Sequence, residues 1–247
     1  MCDGIVWLAD WDDAPVSVVF ARGISPQELA VRMGGTPGSA VELTGGEVDF
    51  LLHRTPTGDS DVVRVGTCGA WSYAVQHVAD YGRDHLAVRA SRGGVDVIHY
   101  VPMAWHPPAQ FNYFRDGRSV CGFGIGEETQ RWGQEPDHLL PVLVAAGVLA
   151  PQGKTLAVPE DGSSAIGNHR TLSVLEHHFE LCLPKASMTQ APLPAYTVRG
   201  PLALSPDPDF PIIRAWAAHH GYSLDWGRSG HVPASIRDAY SRATGTR

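Results

Sequence analysis

Two spacings of apolar residues alternate along the first 150 positions, and they predict both strands and helices. Short apolar runs that end at turn residues, such as Val16–Ala21 and Val95–Val101, are typical of buried strands. Ser25, Pro26 and Glu28 carry the capping signals of a helix start, because a serine side chain can bond the backbone three residues on. The spacing therefore predicts a strand followed by a capped helix near the N-terminus.

Paired strands are predicted further along the chain. A hairpin is expected over 62–78, and a second one joins Gln110–Arg115 to Arg118–Phe123 through Asp116-Gly117, the strongest short hairpin signal in the sequence. Because the strands run in hairpins with helices interspersed, the pattern predicts an α+β domain over residues 1–150 with a mainly antiparallel sheet.

The region after residue 150 is predicted to contain two connecting segments. Residues 151–184 are interpreted as a linker up to residue 170 followed by a docking helix, which packs on the main domain or joins an oligomer. The helical spacing is that of Leu172, Leu175, Phe179 and Leu183. Residues 185–208 contain five prolines and predict an extended linker.

Helical spacing returns in the last segment, residues 209–247. Two short helices separated by a loop containing glycine are predicted, and their apolar positions suffice for a miniature core. The residues assigned to that core are Ile213, Trp216, Ala217, Tyr222, Val232, Pro233, Ile236 and Tyr240.

Charge is distributed unevenly between this segment and the rest of the chain. The formal net charge is −7, but residues 205–247 carry five arginines and four aspartates, with no lysine or glutamate, and so sum to +1. The preceding 204 residues therefore carry −8. No apolar run approaches the roughly 20 residues that span a bilayer, so we expect a cytoplasmic protein without a membrane partner. The four cysteines show no paired spacing and are predicted to be free thiols.

The C-terminal segment resembles the DNA-binding domain of the actinobacterial H-NS-like, or Lsr-type, xenogeneic silencers. The resemblance rests on Ile213-Arg214-Ala215-Trp216-Ala217, on Gly221-Tyr222, and on Val232-Pro233-Ala234-Ser235-Ile236 with the following Asp238-Ala239-Tyr240. It implies a nucleoid-associated protein that contacts the minor groove of AT-rich double-stranded DNA.

The loop that grips DNA in that family differs here. The family places an Arg-Gly-Arg loop before its Ile/Val-Pro pair, whereas this chain has Arg228, Ser229, Gly230 and His231. Arginine is drawn into the negative, narrow groove of A-tracts, and glycine permits close approach. His231 adds a second positive charge only when protonated, near or below the ordinary histidine pKa of about 6.5. We therefore expect weak, pH-sensitive binding.

The large domain resembles an uncharacterised family of actinobacterial proteins. The similarity is carried by residues 20–28, by Gly69-Ala70-Trp71 and by Arg131-Trp132-Gly133. These positions are interpreted as a strand end, a capped helix, a core tryptophan and a turn. No activity follows from the resemblance.

Candidate chemistry elsewhere in the chain is sparse. Residues 122–126 alternate glycine with apolar residues but lack dinucleotide-binding spacing, which favours a flexible loop over a phosphate cradle. His178 and Cys182 have the i, i+4 spacing of metal ligands, but two ligands do not make a site. His99 and His106, which flank Trp105, are candidate pocket residues, but no acid, base or nucleophile near them in sequence gives them a catalytic role. The sequence predicts no metal, cofactor or catalytic residue.

Three hypotheses follow in order. The first is a non-enzymatic DNA-binding protein of the nucleoid, whose acidic domain senses, oligomerises or recruits. The second is an adaptor whose C-terminal segment docks on another protein, as in the peripheral subunit-binding domains it also resembles in outline. The third is an enzyme whose site is assembled from residues far apart in the large domain.

Overall fold

Eight strands form one antiparallel sheet in the computed structural model, which describes residues 3–11, 17–53, 60–77, 84–102, 108–154, 164–200, 202, 204, 209–224 and 232–245. The strands are β1 Ser17–Arg22, β2 Val41–Leu43, β3 Asp61–Cys68, β4 Trp71–Gln76, β5 Asp96–Val101, β6 Gln110–Arg115, β7 Arg118–Gly124 and β8 Leu193–Arg199. Their order is β2-β8-β3-β4-β1-β5-β6-β7. The predicted α+β class with an antiparallel sheet is confirmed.

Helices cover both faces of the sheet and form the C-terminal pair. A short 3-10 helix, Val6–Asp10, precedes α1 Pro26–Met33, α2 Gly45–His53, α3 Asp84–Ala90, α4 Leu140–Ala145, α5 Ser164–Phe179, α6 Ala186–Thr189, α7 Phe210–His219 and α8 Ala234–Thr244. Within the described ranges, none of these helices has both the length and the apolar content needed to cross a bilayer.

Local sequence signals set several of these elements. The Ser25 side chain accepts a hydrogen bond from the Glu28 backbone N–H at 3.1 Å, as the capping box predicts for α1. Thr44 and Glu47 bond each other reciprocally at the start of α2. The β6–β7 turn has positive φ at both Asp116 and Gly117, the conformation that Asp-Gly hairpin turns favour.

The two faces of the sheet bury separate apolar clusters. On one face, aromatic side chains such as Phe20, Trp71 and Phe111 pack against α5 and the 3-10 helix. On the other, small β-branched residues such as Val19 and Val97 pack beneath α1 and α3. Because successive strand residues point to opposite faces, both clusters draw on the same strands.

Residues beyond 150 complete this sheet, which corrects the prediction of an extended linker over 185–208. The predicted linker over 185–208 contains α6 and β8, and β8 lies between β2 and β3 inside the sheet. The prediction was wrong because the segment contains five prolines, and proline, which lacks an N–H, is disfavoured in central strands. Pro194 lies opposite Glu42 of the short edge strand β2, whereas the residues paired with β3 run from Ala195 to Arg199.

The docking helix predicted after residue 170 begins earlier and ends earlier than its apolar spacing suggested. Helix α5 starts at Ser164 and ends at Phe179, followed by Glu180 with φ of +56°. Leu172 and Leu175 are buried in the aromatic cluster, so the helix packs on the main domain. Its Glu176 carboxylate also accepts the backbone N–H groups of Ile5 and Val6 at 2.5 and 3.1 Å, which fastens the N-terminal segment.

A disulfide joins Cys68, at the β3–β4 turn, to Cys182, just after α5. The prediction that these cysteines are free thiols was wrong for this pair. Their separation of 114 residues gave no local spacing to detect. The bond links the segment just after α5 to the end of β3.

Candidate functional site

The C-terminal helices α7 and α8 pack against each other around a small core of their own. Ile213 and Ala217 on α7 and Ile236 on α8 are buried, and Trp216, Val232 and Tyr240 pack against them. The indole of Trp216 meets the Tyr240 ring edge-on, with centroids 5.5 Å apart. These six residues lie together between the two helices.

Two of the predicted core positions lie at its rim. Tyr222 stacks on Trp216 at 5.4 Å, but 40% of its surface is exposed. Pro233 is half-buried and occupies the N-cap position of α8, where its missing N–H costs nothing. Tyr222 and Pro233 therefore lie at the edge of the module core rather than inside it.

The predicted DNA-contacting residues Arg228, Ser229, Gly230 and His231 lie outside the described residues. The positions that flank this segment are described. Leu224 and Val232 both pack, partly buried, against the Ile213 cluster. The chain is thus anchored to the module core immediately before and after residues 225–231.

The described surface of the module carries positive side chains and one compensated pair. Arg214 and Arg242 are exposed. Arg237 on α8 lies 3.9 Å from the Asp209 carboxylate at the start of α7, which leaves that arginine less available to a partner. An ion pair at this exposure contributes little to stability.

The flank of α7 beside its α8-facing side forms an open groove of about 520 Å³. Phe210, Ala215, Ala218 and Leu224 line it with apolar atoms, and Arg214 lies at the same surface.

The large domain contains a buried hydrogen-bonded line that the sequence did not reveal. Asp49 contacts His77 Nδ1 at 2.7 Å, and His77 Nε2 accepts from Arg64 Nε at 2.7 Å. The Arg64 guanidinium also donates to the carbonyls of Met188 and Ala191. Burial lowers the pKa of His77 and lowers that of Arg64 to about 10, in each case against the opposing effect of Asp49.

This line has an aspartate–histidine pair but not the geometry of a catalytic dyad. A catalytic histidine needs one ring nitrogen directed at a nucleophile or substrate. Both ring nitrogens of His77 are engaged, one by Asp49 and the other by Arg64. The arrangement holds α6 and the following chain against β3 and β4, so its chemistry is structural.

A second buried polar set crosses the opposite face of the sheet at its end nearest the start of β1. Gln76 donates to Asp61 at 2.9 Å and accepts from Ser17 at 3.1 Å. His99 and Asn112 lie opposite each other on β5 and β6. No sequence motif joins these residues because they come from five strands. The available signal was the presence of polar residues within otherwise apolar runs.

The described residues contain no group of three or more histidine, cysteine or carboxylate side chains arranged to hold a metal ion. Cys182 is bonded to Cys68, so the His178–Cys182 spacing supplies no thiolate ligand. Burial, followed by the charges of His138 and His177, lowers the pKa of His178. Burial also raises the pKa of the remaining described thiol, Cys121, to about 12, which makes it unreactive at neutral pH.

The glycines of residues 122–126 do not make a loop throughout. Gly122 and Gly124 lie in the edge strand β7. A side chain at Gly122 would collide with Trp132 and Asn112, and one at Gly124 would collide with Pro108. These glycines therefore allow close packing over the edge of the sheet, which the sequence had not predicted.

The chain belongs to a family of unknown function (DUF6461), whose model matches residues 6–166. The match covers most of the sheet and stops before β8 and the C-terminal helix pair. No curated protein and no solved structure was found to match the chain. The expectation of an uncharacterised family for the large domain is therefore confirmed.

Proposed function

We propose that this protein binds double-stranded DNA, with a preference for AT-rich sequence, through the segment between α7 and α8. Arg228 enters the minor groove, Gly230 permits the close approach, Ser229 bonds the backbone, and protonated His231 adds a second positive charge. The observation that carries the proposal is the anchoring of this segment: Leu224 and Val232 both pack on the core shared by the two helices. Because the flanking residues are already packed on the core, they need no further ordering when the intervening segment, which contains Arg228, binds DNA.

The charge distribution sets the expected strength. The C-terminal 43 residues sum to +1, and the preceding domain carries −8. Arg214 and Arg242 are exposed and available to phosphates, whereas Arg237 is shared with Asp209. We expect modest affinity with a shallow salt dependence, equivalent to about 2 to 4 phosphate contacts. Such a role places the protein in the nucleoid.

Fluorescence anisotropy with the full-length protein tests the proposal. AT-rich and GC-rich duplexes of equal length are titrated at salt concentrations from roughly 50 to 200 mM, because phosphate contacts weaken measurably over this range. We expect tighter binding to the AT-rich duplex and about a 10-fold loss for Arg228→Ala. Arg118→Ala, which removes an exposed arginine from β7 of the large domain, is the matched control and should retain wild-type affinity. Equal affinity for both duplexes would refute the minor-groove proposal.

A second candidate, an adaptor that docks on another protein, is favoured by the apolar groove along α7. Ala218→Gln obstructs this groove without adding charge. If DNA is the partner, Arg228→Ala weakens binding and Ala218→Gln does not. Absence of DNA binding by the wild-type protein at low salt and pH 6.5 would leave the adaptor role as the better account.

A further inference from the structure

The open groove along α7 combines an apolar lining with a single charge. Its volume is about 520 Å³, and Phe210, Ala215, Ala218 and Leu224 line it with apolar side chains. Phe210, Arg214 and Ala218 follow one another at every fourth position, so the groove runs along roughly two turns, about 12 Å, of the helix. Exposed apolar grooves rimmed by a polar group are typical of places where another molecule binds.

Small side chains on α7 leave room for a second helix beside it. Ala215 and Ala218 are exposed, whereas Phe210 and Leu224 are half-buried because they also pack on the module core. The axes of packed helices lie about 8–10 Å apart, and small residues at the contact allow the closer approach. An amphipathic helix that directs apolar side chains at Phe210 and Leu224 therefore suits the groove.

Arg214 determines the charge that the partner must carry. It is exposed, and among the described residues that line the groove it is the charged one, with no carboxylate beside it in that lining. A guanidinium pairs with a carboxylate through two parallel hydrogen bonds, which fixes the geometry of the pair. A charge pair at the rim of an apolar contact selects among partners more than it adds affinity. The groove therefore favours an acidic partner over a basic one.

Other occupants suit this lining less well. A DNA backbone needs several cations, and the described lining supplies one. A small molecule would stay largely exposed in an open groove, whereas ligand sites bury most of their ligand. In a two-fold contact between copies of this chain centred on the groove, Arg214 would face its own copy. The like charges would repel each other, which favours a different protein of opposite charge.

We propose that the groove binds an acidic amphipathic helix of a partner protein. The apolar side chains of that helix pack against Phe210 and Leu224, and one of its carboxylates pairs with Arg214. This surface does not depend on DNA binding by residues 228–231, and it gives the adaptor role a partner of stated chemistry. With both surfaces active, the protein would bring the acidic partner to DNA.

Calorimetric titration of the full-length protein with a pair of synthetic peptides tests the proposal. Each peptide has about 15 residues, enough to populate a helix, with leucines at alternating third and fourth positions. Glutamates stand beside the leucines in one peptide, and lysines replace them in the other. We expect the glutamate peptide to bind with a dissociation constant on the order of 100 µM, as suits a small contact, and at least about 10-fold more tightly than the lysine peptide. No binding of the glutamate peptide, or equal binding of both peptides, would overturn the proposal.

Charge reversal shows whether Arg214 makes the selection. Arg214→Glu should invert the preference, so that the lysine peptide binds more tightly than the glutamate peptide. Arg242→Glu makes the same charge change at an exposed position of α8 that does not line the groove, and it should leave the preference unchanged. An unchanged preference in a folded Arg214→Glu protein would overturn the proposal. If that variant does not fold, Arg214→Gln decides the question, since it should abolish the preference without adding a negative charge.

Obstructing the groove separates this proposal from DNA binding. Ala218→Gln should weaken the glutamate peptide at least about 5-fold, because the longer side chain occupies the space of the helix, and should leave affinity for the AT-rich duplex unchanged. Arg228→Ala should have the opposite effects, so the two proposals can fail independently. Full peptide affinity in Ala218→Gln would overturn the groove as the binding place. Loss of duplex binding in that variant would assign the groove to DNA and would overturn the protein partner.

Discussion

The large domain and the C-terminal helix pair are stabilised on different scales. The sheet buries two extensive apolar clusters, a hydrogen-bonded polar line and a disulfide that closes a long loop. The helix pair buries Ile213, Ala217 and Ile236, with a few aromatic rings around them. Small units bury a smaller fraction of their surface and have marginal stability. We therefore expect the helix pair to unfold locally more readily than the sheet domain.

The largest expected effect concerns the disulfide. Replacing Cys68 and Cys182 together by serine should destabilise the large domain by up to about 5 kcal/mol, because closing a loop of roughly 100 residues restricts the unfolded chain by about that amount. Denaturant unfolding measures the change. Dithiothreitol should lower the midpoint of the wild-type protein and leave the double variant unaffected. If the reductant left the wild-type midpoint unchanged, the bond would not be contributing to stability in solution.

The second effect tests the buried polar line. Arg64→Met should cost about 3 kcal/mol, since it leaves His77 and the carbonyls of Met188 and Ala191 without their donor. Arg115→Met removes a mostly exposed arginine from β6 and is the matched control. Urea unfolding of both variants checks the difference. Equal losses would mean that the guanidinium is not the element holding this region.

Features formed by residues close together in the sequence were predicted, whereas features that depend on residues far apart were not. The caps at Ser25 and Thr44 and the Asp116-Gly117 turn are local, and all three form as expected. The Cys68–Cys182 bond and strand β8 depend on partners far along the chain, so no window of residues contained them. The same holds for the hydrogen bond from Trp132 to Asn112. Trp132 falls in a predicted turn and Asn112 in a predicted strand, and neither prediction indicates their contact.

The candidate DNA site divides in the same way. Helical spacing within α7 and α8 predicted the buried positions Ile213, Ala217 and Ile236. Whether Arg228 reaches a groove depends on an interaction with another molecule, about which apolar periodicity carries no information. That part stays a prediction until DNA binding is measured.

A smaller effect is expected in the helix pair itself. Ile236→Ala should destabilise the module by about 2 kcal/mol, at the low end for isoleucine truncation because the site lies near the surface. Hydrogen exchange of peptides covering α7 and α8 should then accelerate roughly 30-fold, while exchange in the sheet stays unchanged. Ile212→Ala truncates an isoleucine that is 59% exposed and should have little effect. Faster exchange throughout the sheet would show that the two regions unfold together.

The smallest expected effect is a pH dependence confined to the large domain. Burial lowers the pKa of His77 below its unfolded value of 6.5, so between the two values the unfolded chain binds the extra proton. This contribution to stability is complete above about pH 6.5 and is lost as the pH falls, with a limiting slope of about 1.4 kcal/mol per pH unit. His77→Gln keeps a polar side chain that does not titrate, and its stability should lack this component. Urea midpoints measure this component at roughly pH 7.5, 6.5 and 5.5, values that bracket the ordinary histidine pKa.

Because His77 contacts Asp49 and Arg64 in the sheet domain, hydrogen exchange in α7 and α8 should not follow the same pH profile. A shared profile would mean that protonation of the sheet domain loosens the helix pair, and the two regions would then have to be treated as one cooperative unit.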